Sequence, residues 1–225
     1  HTGGEACRSA HGLVTTLAAS APGAAGPEYA LEGSVFVAGA LVQWLRDELG
    51  LVATAAETEE LAESVPDTGG VYVVPAFTGL GAPHWDAEAR GAILGLTRGT
   101  SRAQVVRAAL ESLAYQVYDL VVAMEADAGV PLRELNVDGG ASTNGFLMQF
   151  QSDILRTPLI RPQNTEATAL GAAFLAGLSA GFWRDAEELR DLPFARDRFE
   201  PRMGEGRRAR LLDGGSRAVG RTMTR

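Results

Sequence analysis

Two glycines, Gly139 and Gly140, separate a short apolar segment from a segment with helical spacing in the stretch LNVDGGASTNGF at 135–146. A strand that turns directly into a helix exposes backbone amides at the helix start, and glycine lets a ligand approach the backbone closely. The pair therefore indicates a nucleotide contact, although glycines also serve ordinary tight turns and the dinucleotide fingerprint Gly-x-Gly-x-x-Gly is absent. Asp138 is interpreted as a turn-stabilising carboxylate rather than a catalytic acid.

Other reactive side chains lack the partners that catalysis or metal binding needs. His84 could act as a base or a ligand, but His1 and His11 lie too far away in the sequence for metal-ligand spacing. Asp86 and Glu88 could pair as acid and base, and are interpreted as solvated loop charges. The sequence therefore assigns neither a catalytic residue nor a metal ligand.

Composition limits the class of protein. The chain has 225 residues, 46% of them hydrophobic, and a single cysteine, Cys7, which excludes an internal disulfide framework. Its apolar runs end before the ~20 residues that a membrane helix requires, and the pattern of its first residues does not predict a signal peptide. We expect a globular cytoplasmic protein that does not enter a membrane.

Charge limits the partners. The net charge of −8 disfavours nucleic acid, which needs a basic face. Residues 194–225 carry nine arginines against four acidic residues and are expected to form a solvated, poorly ordered tail after a domain at 1–193. All 20 basic residues are arginine, which excludes lysine Schiff bases and the phosphate-loop lysine. Backbone amides, arginine, polar side chains or a metal must hold any bound phosphate.

Strands and helices alternate along the chain, which predicts an α/β domain with a largely parallel sheet. Ser101 and Gln104 have the spacing of a capping box at the start of a long helix that ends near Gly129. Strands are predicted at 12–18, 29–35, 71–74, 92–97, around 135–138 and around 159–160. Helices are predicted at 36–49, at 58–64, from the capping box at 101–104 up to 129, from 140 to about 155 and at 165–181. A loop at 21–28 joins the first two strands, which are expected to be neighbours.

Four stretches together resemble the carboxyl-terminal half of glycerol kinases, a branch of the FGGY carbohydrate kinase family. They cover most of the chain from 29 to 183, and the loop FTGLGAPHWD at 77–86 is more similar to glycerol kinases than to pentulose and hexulose kinases. The second family signature is matched by GAILGL at 91–96 followed by QVVRAALE at 104–111. The stretches are ALEGSVFVAGALVQWLRDELG, VYVVPAFTGLGAPHWDAEARGAILGLTRGTSRAQVVRAALESLAYQ, VDGGASTNGFLMQFQSDIL and EATALGAAFLAGLSAGFW.

The resemblance implies a domain of the actin, hexokinase and chaperone-ATPase superfamily, with a ribonuclease-H-like core and a mostly parallel mixed sheet flanked by helices. It implies that ATP or ADP binds with Mg²⁺ in a cleft between two domains, and that the γ-phosphoryl group passes to glycerol. The resemblance implies that Gly39 lies near the phosphates, with Gln43 one turn later on the same helix. It also implies that Gly140 is the glycine of the turn that contacts adenosine, and that Asn144 supplies an amide one turn beyond it.

The family's catalytic aspartate and the residues that bind glycerol belong to the amino-terminal half, which this chain does not match. The chain is therefore expected to be a piece of a longer kinase, inactive alone, without the first strand of its own sheet, and to need that amino-terminal domain as its partner. Association into a homo-oligomer stays open. Two alternatives also stay open: a sibling FGGY sugar kinase, and a non-catalytic actin-like nucleotide-binding module.

Overall fold

The computed structural model describes residues 1–19, 25–190 and 192–224. Helices and strands alternate, which confirms the α/β class. The strands are β1 (Val14–Ala18), β2 (Glu28–Glu32), β3 (Tyr72–Val74), β4 (Ala92–Leu94), β5 (Leu135–Asn136), β6 (Leu159–Pro162) and β7 (Arg196–Phe199). The helices are α1 (Gly39–Asp47), α2 (Glu57–Glu63), α3 (Arg102–Ala128), α4 (Gly145–Leu155), α5 (Ala167–Ser179), α6 (Ala186–Arg190) and α7 (Glu205–Thr222).

The described strands form three small sheets instead of one largely parallel sheet. β1 pairs antiparallel with β2, as expected for neighbours, and β3 pairs antiparallel with β4. β5 and β6 are parallel, with α4 as the crossover between them, and β7 adds antiparallel to β6. The expectation of a largely parallel sheet is therefore wrong for these strands, since only the β5 to β6 connection is the helical crossover that parallel pairing requires. The first half of the loop predicted at 21–28, residues 21–24, lies outside the described residues.

The long helix α3 organises the core, and its ends follow the predicted capping chemistry. The Ser101 hydroxyl accepts from the Gln104 backbone N–H at 3.3 Å, and the Gln104 side chain accepts from the Ser101 N–H at 2.9 Å. Gly129 closes the helix in the left-handed conformation at φ 68°. Helices α1, α3 and α4 and strands β3 and β6 contribute to one buried apolar cluster, which includes Leu41, Leu45, Val71, Val106, Ala109, Leu113, Leu147, Met148, Ile154 and Leu159.

The segment from 194 onward differs from the poorly ordered tail expected from its arginines. It supplies β7 to the third sheet and α7 to the packing against β3. Gly214 of α7 allows this approach, because an ideal Cβ there would lie 2.1 Å from the Tyr72 hydroxyl oxygen. Charge counting misses α7, since Leu211, Leu212 and Ala218 pack inward. One of its arginines also joins the packing, because the largely buried Arg208 donates to the Ile154 carbonyl at 2.7 Å. Arg225 lies outside the described residues.

No helix in the described part of the chain is long and apolar enough to cross a bilayer.

Candidate functional site

The turn that follows β5 is the centre of the predicted site. A 3₁₀ turn at Gly140–Thr143 follows Gly139, so that α4 begins at Gly145 and not directly after the glycine pair as predicted. Gly139 has φ 77° and ψ 172°, a backbone conformation essentially restricted to glycine. An ideal Cβ on Gly139 or Gly140 would have no neighbouring atom within 4 Å. The backbone of both glycines therefore faces open space that a ligand could occupy.

Hydrogen bonds from three directions hold this turn. The Gly139 N–H donates to the Thr165 carbonyl at 3.0 Å, which joins the turn to the loop after β6. The buried Ser142 hydroxyl donates to the Gly139 carbonyl at 2.7 Å. The Arg161 guanidinium donates to the Ser142 and Thr143 carbonyls at 2.7 and 3.2 Å. The loop after β6, the Ser142 hydroxyl and the Arg161 side chain thus together fix the backbone of this turn.

The first amides of α4 are already occupied, which corrects the expectation of free amides at this helix start. The Asn144 side-chain oxygen accepts from the Leu147 N–H at 2.8 Å, and the Asn144 side-chain nitrogen donates to the Thr58 hydroxyl at 3.1 Å. The Glu59 carboxylate of α2 accepts from the Gly145 and Phe146 N–H groups at 2.9 and 3.2 Å. A phosphate group therefore has no unpaired amide at the first turn of α4.

Gly39 and Gln43 lie one turn apart on α1, and both are exposed. The helix begins at Gly39 and not at Phe36, where the apolar spacing predicted its start. The α1 start has no side-chain cap and no acidic residue in its first turn among the described residues, and an ideal Cβ on Gly39 would meet nothing within 4 Å. The partial positive charge of this helix start is therefore open to an anion.

A cavity of about 870 Å³ lies at the carboxyl ends of β5 and β6, the edge where ligands of such βαβ units gather. Asp138, Asn136 and Asn164 line it together with Phe174 of α5. The exposed Asp138 carboxylate makes no hydrogen bond to another described residue, so its interpretation as a turn-stabilising group is wrong.

His84, Asp86 and Glu88 make contacts away from this turn. His84 Nε2 lies 3.1 Å from the Asp119 carboxylate on α3. Asp86, expected to be solvated, is only 1% exposed and accepts from the Thr224 N–H at 2.7 Å and from the Thr224 hydroxyl at 2.9 Å. The Thr224 N–H is the main cause that holds the pKa of Asp86 below its ordinary value. Glu88 is exposed and contributes only its backbone N–H to Asp86.

The structure brings α1 and α4 into one core, because Leu41 and Leu147 belong to the same buried cluster. Within the described ranges, no hydrogen bond joins the pair Gly39 and Gln43 to the pair Gly140 and Asn144. Sequence reasoning missed three groups that support the site, namely Thr58, Glu59 and Arg161. Glu59 lies 86 positions before its partner Gly145, so no local sequence signal could have found it.

Comparison with known proteins gives a consistent result. Residues 2–180 match the family model described as the FGGY family of carbohydrate kinases, C-terminal domain. Glycerol kinase of Carboxydothermus hydrogenoformans is 57% identical over 98% of this chain, and that of Shewanella piezotolerans is 55% identical over 99%. These matches cover 44% and 45% of the two relatives, so the chain spans less than half of their length.

Solved structures give the same result as the sequence comparison. A crystal structure of Plasmodium falciparum glycerol kinase with ADP has a TM-score of 0.89 and 36% identity, and the match covers 100% of this chain and 44% of that one. A ligand-bound xylulose kinase from Lactobacillus acidophilus has a TM-score of 0.72 and 24% identity over 92% of this chain and 44% of that one. The second similarity is evidence for the fold alone.

Proposed function

The chain belongs to the FGGY family of carbohydrate kinases, and from that membership we propose that it forms the adenine-nucleotide wall of a glycerol kinase. One observation carries the proposal. Glycerol kinases of eight strains share between 54% and 57% identity over at least 97% of this chain, and that of Plasmodium falciparum shares 36%. The xylulose and gluconate kinase structures share between 20% and 25%. The mixed α/β fold is that of the FGGY kinases, a ribonuclease-H-like fold also found in actin-like ATPases.

The whole protein would transfer the γ-phosphoryl group of ATP to glycerol and form sn-glycerol 3-phosphate. Such a transfer depends on positioning the nucleophile and on neutralising the charge that spreads over the phosphoryl oxygens. This chain supplies nucleotide positioning. We assign it no catalytic residue, and we expect the 225-residue chain to be inactive by itself.

The two helix starts support one orientation of the nucleotide. The α1 start, with the open Gly39, suits the phosphates, because its amides carry partial positive charge with no acidic residue in the first turn. The turn at Gly140 suits the adenosine end, since the Glu59 carboxylate already occupies the neighbouring amides of α4. Gln43 adds an amide side chain at the α1 start, which donates hydrogen bonds without a charge that repels phosphate. Asn144 keeps one amide hydrogen beyond its bond to Thr58 for a contact at the adenosine end.

Magnesium would reach this site together with the nucleotide. In the described part of the chain, no three side chains of histidine, cysteine, aspartate or glutamate cluster as metal ligands. Because Mg²⁺ is usually held by one or two carboxylates together with the substrate phosphates, we assign it no ligand on this chain.

A calorimetric titration of ADP into the 225-residue chain tests the nucleotide wall. The variant Gly140→Ala adds one methyl group to the open face of the turn and should reduce the affinity at least tenfold by obstructing the ligand. Gly220→Ala is the matched control, because its Cβ would also meet nothing within 4 Å but lies on α7. Equal ADP affinity in the two variants would contradict the proposed contact.

The enzymatic assignment is tested by fusion. Joining this chain to the amino-terminal part of a glycerol kinase such as that of Carboxydothermus hydrogenoformans should produce ATP-dependent glycerol phosphorylation. The same chain joined to the amino-terminal part of a xylulose kinase should be inactive, because that domain surface is complementary to a different partner. Activity only in the xylulose kinase fusion would assign the chain to a sibling kinase. Nucleotide binding with no activity in either fusion would favour a non-catalytic module.

A further inference from the structure

Glu59 of α2 places its carboxylate directly at the N-terminus of α4. One oxygen, Oε1, accepts from the Gly145 N–H at 2.9 Å and from the Phe146 N–H at 3.2 Å. Gly145 makes this approach possible, since an ideal Cβ at that position would lie 2.7 Å from the same oxygen. The absence of a side chain at the first residue of α4 is therefore matched to a carboxylate from another helix.

This carboxylate stands where an anion would otherwise bind. The first amides of a helix carry partial positive charge and are a common binding site for phosphate. In α4 the Gly145 and Phe146 amides are paired with Glu59, and the Leu147 amide is paired with the Asn144 side chain. A phosphate would have to displace Glu59 and would also be repelled by its charge.

Helix α2, which carries Glu59, also holds the other side of the turn. Thr58, next to Glu59 and 1% exposed, accepts from the Asn144 side-chain nitrogen at 3.1 Å. Two consecutive α2 residues thus hold both the cap of α4 and its first amides. Because Asn144 directly follows the 3₁₀ turn at Gly140–Thr143, α2 also sets the position of that turn.

We infer that Glu59 is a positioning and specificity residue of the nucleotide site: its carboxylate excludes phosphate from the α4 start and leaves the turn at Gly140 to the uncharged nucleoside end. The nucleoside part rests on the proposed function. The exclusion of phosphate depends only on the geometry of Glu59 and α4.

Amide chemical shifts of the ¹⁵N-labelled 225-residue chain test both parts. Inorganic pyrophosphate at up to about 10 mM should leave the Gly145 and Phe146 amides unshifted in the natural chain and shift them saturably in Glu59→Ala. Adenosine affinity should fall roughly five- to tenfold in Glu59→Ala, because the turn loses its support. Glu60→Ala is the matched control, since it removes an exposed carboxylate from the same helix, and it should behave as the natural chain.

A second variant moves the carboxylate without removing its charge. Gly145→Ala places a methyl group against Glu59 Oε1 and should also weaken adenosine binding, but it should not admit pyrophosphate because the negative charge remains nearby. Equal pyrophosphate shifts in the natural chain and in Glu59→Ala would overturn the inference. So would the absence of any shift in Glu59→Ala. If the natural chain binds neither adenosine nor ADP, the proposed function fails, while the pyrophosphate result still decides the role of Glu59.

Discussion

The Asn144 side-chain nitrogen donates a hydrogen bond to the Thr58 hydroxyl oxygen at 3.1 Å, although the two residues are 86 positions apart. The oxygen of the same amide caps α4 through the Leu147 N–H. Asn144 therefore stabilises the junction between α2 and α4, in addition to the nucleotide contact proposed for it. Loss of nucleotide binding in an alanine variant would not by itself identify a ligand contact.

Asn144→Ala should lower the free energy of unfolding by about 1–2 kcal/mol, because it removes both an N-cap and a partly buried side-chain hydrogen bond. Thr58→Val should cost less than Asn144→Ala, since the cap remains. Urea unfolding measures both values, and ADP titration separates the roles. If Asn144 contacts the nucleotide, its alanine variant must lose more affinity than Thr58→Val. An unchanged unfolding free energy in Asn144→Ala would contradict the junction.

The stability of the chain should respond differently to alanine at the two glycines of the turn. Gly139→Ala should destabilise the chain by about 1–3 kcal/mol, since φ 77° with ψ 172° strains any residue with a Cβ. Gly140→Ala should change stability by no more than about 0.5 kcal/mol, because its Cβ meets open space. Thermal or urea unfolding compares the pair. Similar losses in both variants would show that the open space at Gly140 is not available to a methyl group.

Arg161→Ala should destabilise the turn, because the guanidinium holds the Ser142 and Thr143 carbonyls and pairs with Asp197 at 2.8 Å. The expected loss in unfolding free energy is about 1–3 kcal/mol, typical of hydrogen bonds to a charged group. ADP affinity should fall with it.

Arg184→Ala serves as the control for this variant. The Arg184 side chain is 85% exposed, and among the described residues it pairs only with Glu188, one turn away. Its removal should therefore change neither stability nor ADP affinity measurably. Equal behaviour of the two arginine variants would show that Arg161 does not support the turn.

Asp127 should titrate well below an ordinary aspartate. Hydrogen bonds from the Ser9 hydroxyl, and next from His11, lower the pKa of Asp127 from 3.8 to about 2. Because the folded pKa lies below the unfolded one, this contribution to stability is present above pH 3.8 and is lost as the pH falls towards about 2. Carboxyl NMR titration should show the low midpoint, and Ser9→Ala should raise it. A midpoint near 3.8 in the natural chain would contradict the contacts.

Local features could be predicted where neighbouring residues alone determine the structure. The capping box at Ser101 and the left-handed Gly129 delimit α3 correctly, because both depend on atoms within one helical turn. The burial of Asp86 could not be predicted in this way, since its partner Thr224 lies 138 positions later. The position of α7 was missed for a related reason: its arginines dominate the composition, whereas its few apolar residues decide the packing.

The sequence by itself determined the family, the alternation of helices and strands, and the glycine and amide residues proposed for the nucleotide site. These features depend on residue types within short stretches, so they can be identified without the tertiary structure. Only the tertiary structure decided that the α4 amides are occupied while the α1 start is open. Hydrogen bonds and charge repulsion act over a few ångströms. The contact between Glu59 and Gly145 could therefore be identified only from the packing of α2 against α4.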